Sequence, residues 1–126
     1  MVEIVYEYAD DWPESGPLQV KVPAATVEIP VSPDMARRRA NGYIGMHIGI
    51  LMGSSHPQLV LGDAPVWKLA VDFHLPSVGY VGQVGTLCVD AITGEVIPPS
   101  ADAVHAMQER ANELARRIPS APEPAI

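Results

Sequence analysis

Apolar and polar residues alternate most regularly between Val66 and Leu75 (VWKLAVDFHL). Trp67, Leu69, Val71, Phe73 and Leu75 fall on one side, and Val66, Lys68, Ala70, Asp72 and His74 on the other. A period of two puts successive side chains on opposite faces of a sheet, so this segment is predicted as a strand with one covered face. Val84–Ile92 continues the pattern, with Leu87, Val89 and Ala91 on the core side, and Glu95–Ile97 follows it. Thr93-Gly94 joins these two as a tight turn: Asp90 bonds the turn backbone and Gly94 supplies a positive φ. Upstream, Val2, Ile4, Tyr6 and Tyr8 alternate with Glu3, Val5 and Glu7. Leu18–Val22, Thr26–Val31 and Gln58–Leu61 are shorter strand segments, and Pro23 and Pro30 place the first two at a sheet edge. Asp10–Pro17 (DDWPESGP) reads as a loop, and Pro76–Gln83, with Gly79 and Gly82, as a connection between strands.

The period changes to that of a helix over Ser32–Gly53 (SPDMARRRANGYIGMHIGILMG). Ser32 can cap it, Pro33 fits the first helical position, and Asp34 complements the helix dipole. Gly53 and the Ser54-Ser55-His56-Pro57 that follow supply a stop. Ala36, Ala40, Tyr43, Ile44, His47, Ile48 and Leu51 share one broad face, which is the expected core face. Gly42, Gly45 and Gly49 cluster opposite, flanked by Met35, Met46 and Met52. Each glycine inside a helix costs about 0.5–1 kcal/mol against alanine, so close packing on that side is expected, within the chain or between subunits. A second helix, capped by Ser100 and ended by Pro119, carries a narrow stripe of Val104, Met107, Ala111, Leu114 and Ile118. The tail from Pro119 to Ile126 is Pro-rich and expected to be mobile and dispensable.

The expected fold is therefore α+β: an antiparallel sheet with one long helix packed on it and a C-terminal amphipathic helix. Residues 1–118 form one domain, in which 1–31 is an N-terminal strand extension, 32–97 the core and 100–118 the C-terminal helix.

Composition narrows the function by exclusion. The chain has 126 residues, 48% of them hydrophobic and 18% charged, which suits one globular domain. A net charge of −7 lacks the basic footprint of a nucleic-acid binder. Glu3, Glu7, Asp10, Asp11, Glu14 and Glu28 face only Lys21 in the first 31 residues, and Arg37, Arg38 and Arg39 of the helix offset them in part. A single cysteine, Cys88, excludes an internal disulfide and a Cys-rich metal site. The apolar run Tyr43–Met52 is too short to span a bilayer, and the N-terminus lacks the pattern of a signal peptide. No membrane association and a cytoplasmic location are the expectations.

The order of helix, long strand beginning at a Trp, glycine-rich turn and strand ending in Val89-Asp90-Ala91-Ile92-Thr93-Gly94-Glu95-Val96 resembles the PepSY domain. Trp67–Val71 and Gly85–Val89 carry the resemblance as well, which spans about residues 32–97. It implies a helix on a small antiparallel sheet whose last hairpin bears the D-x-x-T-G-E pattern. It also implies a binding or regulatory module without chemistry of its own, and no cofactor.

Candidate chemistry is sparse. Asp72 and His74 share a strand face, a spacing suited to acid–base work or half a metal site, and His47 could meet His56 or His74 at a metal. A core histidine bonded to a backbone carbonyl is the competing reading for His47. His105 is expected at the surface, and Cys88 has no activating partner nearby in sequence. Gly79-x-x-Gly82-x-x-Gly85 joins two strands and so is not a phosphate loop. Three functions follow from these residues. The first is a non-enzymatic, PepSY-like protein-binding module, self-associating as a homodimer through Gly42, Gly45, Met46, Gly49 and Met52. The second is a small metal-dependent protein or enzyme using His47, Asp72 and His74. The third is an antitoxin-like partner of a neighbouring protein.

Overall fold

The computed structural model describes residues 4–7, 17–22 and 25–118. Most of the loop expected over Asp10–Pro17, the ends of the first expected strand (Val2 and Tyr8) and the tail from Pro119 onward lie outside the described residues. The fold is α+β, as the residue pattern predicts. Five strands, β1 (Ile4–Glu7), β4 (Met52–Leu61), β5 (Pro65–Leu75), β6 (Gly79–Asp90) and β7 (Val96–Ile97), pair antiparallel in that spatial order. The remaining strands, β2 (Leu18–Val22) and β3 (Ala25–Ile29), form a separate antiparallel pair. From the end of β3 onward the chain enters the core, because Ile29 and Val31 are both buried.

The alternation along β5 is realised. Trp67, Leu69, Val71 and Phe73 are buried on one face, opposite Leu59 of β4 and Leu87 and Val89 of β6. The first helix, α1 (Pro33–His47), lies on that face with Ala36, Ala40 and Ile44 against it, and Ile48 at its C-cap extends the row. The second helix, α2 (Ala101–Arg117), adds Met107 and Ala111, with Val104 and Leu114 half-buried beside them. Both N-caps act as their residue types predict. Ser32 Oγ accepts from Met35 N at 3.1 Å, and Ser100 Oγ accepts from Ala103 N at 3.1 Å.

α1 is shorter than the sequence pattern predicts. It ends at His47, not near Gly53: Ile48 N and Gly49 N both donate to Ile44 O at 2.9 Å, and β4 begins at Met52. The physical reason is the ladder available to the later residues. Met52, Gly53, Ser54 and Ser55 pair with Phe73, Asp72, Val71 and Ala70, whereas a continued helix would carry Gly49 and Gly53 at a cost. Two consequences correct the expected core face. His47 is exposed at the helix end, and Leu51 is exposed in the turn beyond it. Asn41 secures the junction, its Oδ1 accepting from both Ser54 N and Ser54 Oγ at 2.8 Å.

β6 is longer than predicted, because the glycine-rich stretch 79–85 is strand and only 76–78 turn. The glycines make room for α2. A Cβ on Gly82 would stand 3.1 Å from Leu114 Cδ1, and one on Gly85 2.6 Å from Met107 Cγ.

The turn from β6 to β7 uses the side chains singled out above. Asp90 Oδ1 accepts from Ile92 N at 2.8 Å and Thr93 N at 3.0 Å, and Thr93 Oγ1 accepts from Glu95 N at 3.2 Å. Gly94 holds φ at +78° while its N–H donates to Asp90 O at 2.9 Å. Gly94→Val forces a β-branched residue into that conformation and is expected to cost about 1–3 kcal/mol in a thermal melt. An unchanged midpoint would show that the turn tolerates negative φ.

Candidate functional site

The face of the sheet turned away from the helices carries the polar half of the alternation. Gln58, Lys68 and Cys88 form one cross-strand row, Ser55, Ala70 and Thr86 the next, and Asp72 and Gln83 pair beyond it. Ala70 is short while Lys68 and Gln58 are long, so the middle of this face is hollow. The depression has a volume of about 350 Å³ and is lined by His56, Gln58, Lys68, Ala70, Gln83 and Thr86.

Its rim is ordered by a hydrogen-bonded chain of side chains. Ser55 Oγ donates to Asp72 Oδ2 and lies 2.8 Å from His56 Nδ1. Asp72 is only 6% exposed, so this contact satisfies a carboxylate that would be costly to bury alone. His56 occupies the β4 bulge, where the register skips from Ser55↔Ala70 to Gln58↔Lys68, and has φ +52°. Among the described residues it is the only non-glycine with positive φ. Pro57, which has no N–H to offer a ladder, fits the same bulge.

Of the residues read as candidate chemistry, only Asp72 and His56 belong to this cluster. His74 pairs with Tyr80, the rings meeting edge-on at 5.8 Å. His47 packs against Tyr43, the rings tilted by 39° with centroids 4.5 Å apart. Among the described residues no three His, Cys, Asp or Glu side chains are grouped to hold a metal ion, so His47, Asp72 and His74 are not assembled as a ligand set. His105 is exposed beside Glu109, at 3.7 Å, and Cys88 is half-buried opposite Lys68. Ser55, and the chain through it from His56 to Asp72, escape a reading of the sequence that treats Gly53–Pro57 as a helix stop and pairs His56 only with His47. That chain exists only once β4 begins at Met52, where Gly53 pairs with Asp72 and Ser55 with Ala70.

The outer side of α1 is the second surface of interest. No described residue stands within 4 Å of a Cβ built on Gly42 or Gly45, and Gly49, now beyond the helix, meets only Met52, at 3.5 Å. The close packing expected on this side is therefore not supplied at Gly42 and Gly45 by the described part of the chain. Met46 is 81% exposed, and Ile50, in the turn that follows, 88%. Burial of a side chain of this size contributes about 1.5–3 kcal/mol, which both forgo here.

Comparisons with protein-family models, curated proteins and solved structures give no match. No helix among the described residues is long and apolar enough to cross a membrane.

Proposed function

We propose that this chain is a non-enzymatic, PepSY-like binding or regulatory module of the cytoplasm. It acts through protein–protein contacts and self-associates as a homodimer. The observation that carries the reading is the outer side of α1. Met46 and Ile50 are the most exposed large hydrophobic residues described, and Gly42 and Gly45 beside them leave the helix backbone open to close approach. Asp90, Thr93 and Gly94 support the PepSY-like part of the reading, since each performs the hairpin role that the D-x-x-T-G-E pattern requires. With a net charge of −7, a protein partner suits the chain better than a nucleic acid.

Gly45→Leu separates association from folding. The position is open, so leucine is expected to stabilise the isolated subunit by about 0.5–1 kcal/mol through helix propensity. The same side chain prevents a partner helix from approaching the backbone. Light scattering on a sizing column is expected to show a wild-type dimer at tens of micromolar and a smaller species for the variant, with no loss in thermal midpoint. A wild-type monomer overturns self-association. A variant that stays dimeric removes this side of α1 from the interface.

A further inference from the structure

The depression on the helix-free face is independent of the α1 surface and carries its own chemistry. Ser55 has one hydroxyl proton, and it is donated to Asp72. Its contact with His56 Nδ1 must then be accepted by Ser55, with Nδ1–H as donor. In a neutral imidazole this leaves the lone pair on Nε2, and His56 is one of the residues that line the depression. Lys68, on the same lining, offers an exposed cation, and the Thr86 hydroxyl can donate or accept. Strain points to the same place. A glycine would adopt φ +52° without steric cost, yet a histidine stands there with its ring tied to Ser55.

We propose that this depression binds a small hydroxylated monocarboxylate, its carboxylate on Lys68 and its hydroxyl donating to His56 Nε2. The volume, about 350 Å³, lies at the small end of the range of about 300–1,000 Å³ for ligand sites. Charge argues for a carboxylate over a phosphate. One ammonium balances one negative charge, and the Asp72 carboxylate beside the depression repels a second. A hydroxyl donor complements the acceptor of His56, and an anion complements the ammonium of Lys68.

Nitrogen NMR at pH 8, where an ordinary imidazole is neutral, tests both halves with the full chain. The free protein is expected to carry the His56 ring proton on Nδ1; a proton on Nε2 overturns the arrangement. Sodium D-glycerate is expected to give saturating shifts at His56, Lys68, Ala70 and Thr86. Propionate, which lacks the hydroxyls, is expected to bind at least about tenfold more weakly, as is D-glycerate to Lys68→Met. Ser55→Ala is expected to free the ring, giving a mixed tautomer signal and weaker D-glycerate binding. Absence of saturating shifts up to about 100 mM D-glycerate overturns the site. Inorganic phosphate binding as tightly overturns the carboxylate assignment, and propionate binding as tightly overturns the role of His56.

Discussion

Trp67→Ala is expected to lower the unfolding free energy by about 3–5 kcal/mol, a large share of the roughly 5–15 kcal/mol available to a domain of this kind. Trp67 is fully buried and sits between Leu59 and Val89 in the cross-strand register, at the centre of the sheet face that receives α1. Its role is also polar. Nε1 donates to Val31 O at 2.8 Å, and Val31 N in turn donates to Ala91 O at 3.2 Å. The indole therefore pins the segment that leads into the Ser32 cap onto the middle of the sheet. Trp67→Phe separates the two contributions. It keeps most of the apolar volume and removes the donor to a buried carbonyl, so about 1–3 kcal/mol of the loss is expected to remain. Denaturant unfolding of the three proteins with a common slope is the measurement. A loss below about 1.5 kcal/mol for the alanine variant would mean that the sheet centre repacks, and that Trp67 does not hold α1 in place.

The parts of this architecture that could be read in advance are those decided within a few residues. Ser32-Pro33 and Ser100 announce their helices because a cap needs only its own side chain and the next turn. Trp67, Leu69, Val71 and Phe73 announce β5 because the helices and the core cover one face of it along most of its length. Asp90, Thr93 and Gly94 announce their turn because their side-chain bonds, and the bond from Gly94 N to Asp90 O, close within four residues. The end of α1 is different. Ile48, Ile50, Leu51 and Met52 suit a helix as well as a strand, and pairing with residues 70–73 decides between them. His47 inherits that uncertainty: it is a core residue if the helix continues and an exposed one where it stops. The candidate site lies further from local chemistry. Asp72 stands out in the sequence as an acid on a strand face, but its contact with Ser55, and through it with His56, depends on the pairing of β4 with β5 around a bulge that Pro57 suits but does not alone specify. Gly82 and Gly85 mislead for the same reason, since they make room for side chains of a helix that follows some twenty residues later.

Gly85→Val carries that last point to an expected outcome: α2 leaves the sheet while the sheet itself persists. A Cβ at this position would stand 2.6 Å from Met107 Cγ and 2.8 Å from its Sδ, so the methionine must move, and two further methyl groups demand more room. Overpacking of this kind costs about 1–3 kcal/mol. The helix has little with which to oppose it. Met107 and Ala111 are its only buried side chains among those described, and full burial of a methionine contributes about 1.5–3 kcal/mol. Gln108 Nε2 adds one bond, to Ile48 O at 3.0 Å. The cost is thus a large share of the docking energy, to which Ala111 and the half-buried Val104 and Leu114 also contribute, and undocking of α2 relieves the clash without disturbing the Leu59–Trp67–Val89 row. Hydrogen exchange is expected to show lost protection over Ala101–Arg117 in the variant, with β4 and β5 still protected. Met107→Ala in the same background empties the contested space and is expected to recover part of the protection, a coupling of opposite sign to the single changes. If α2 stays protected in Gly85→Val, or if Met107→Ala adds its own loss in full, then the close approach of helix and strand is not what holds the C-terminal helix in place.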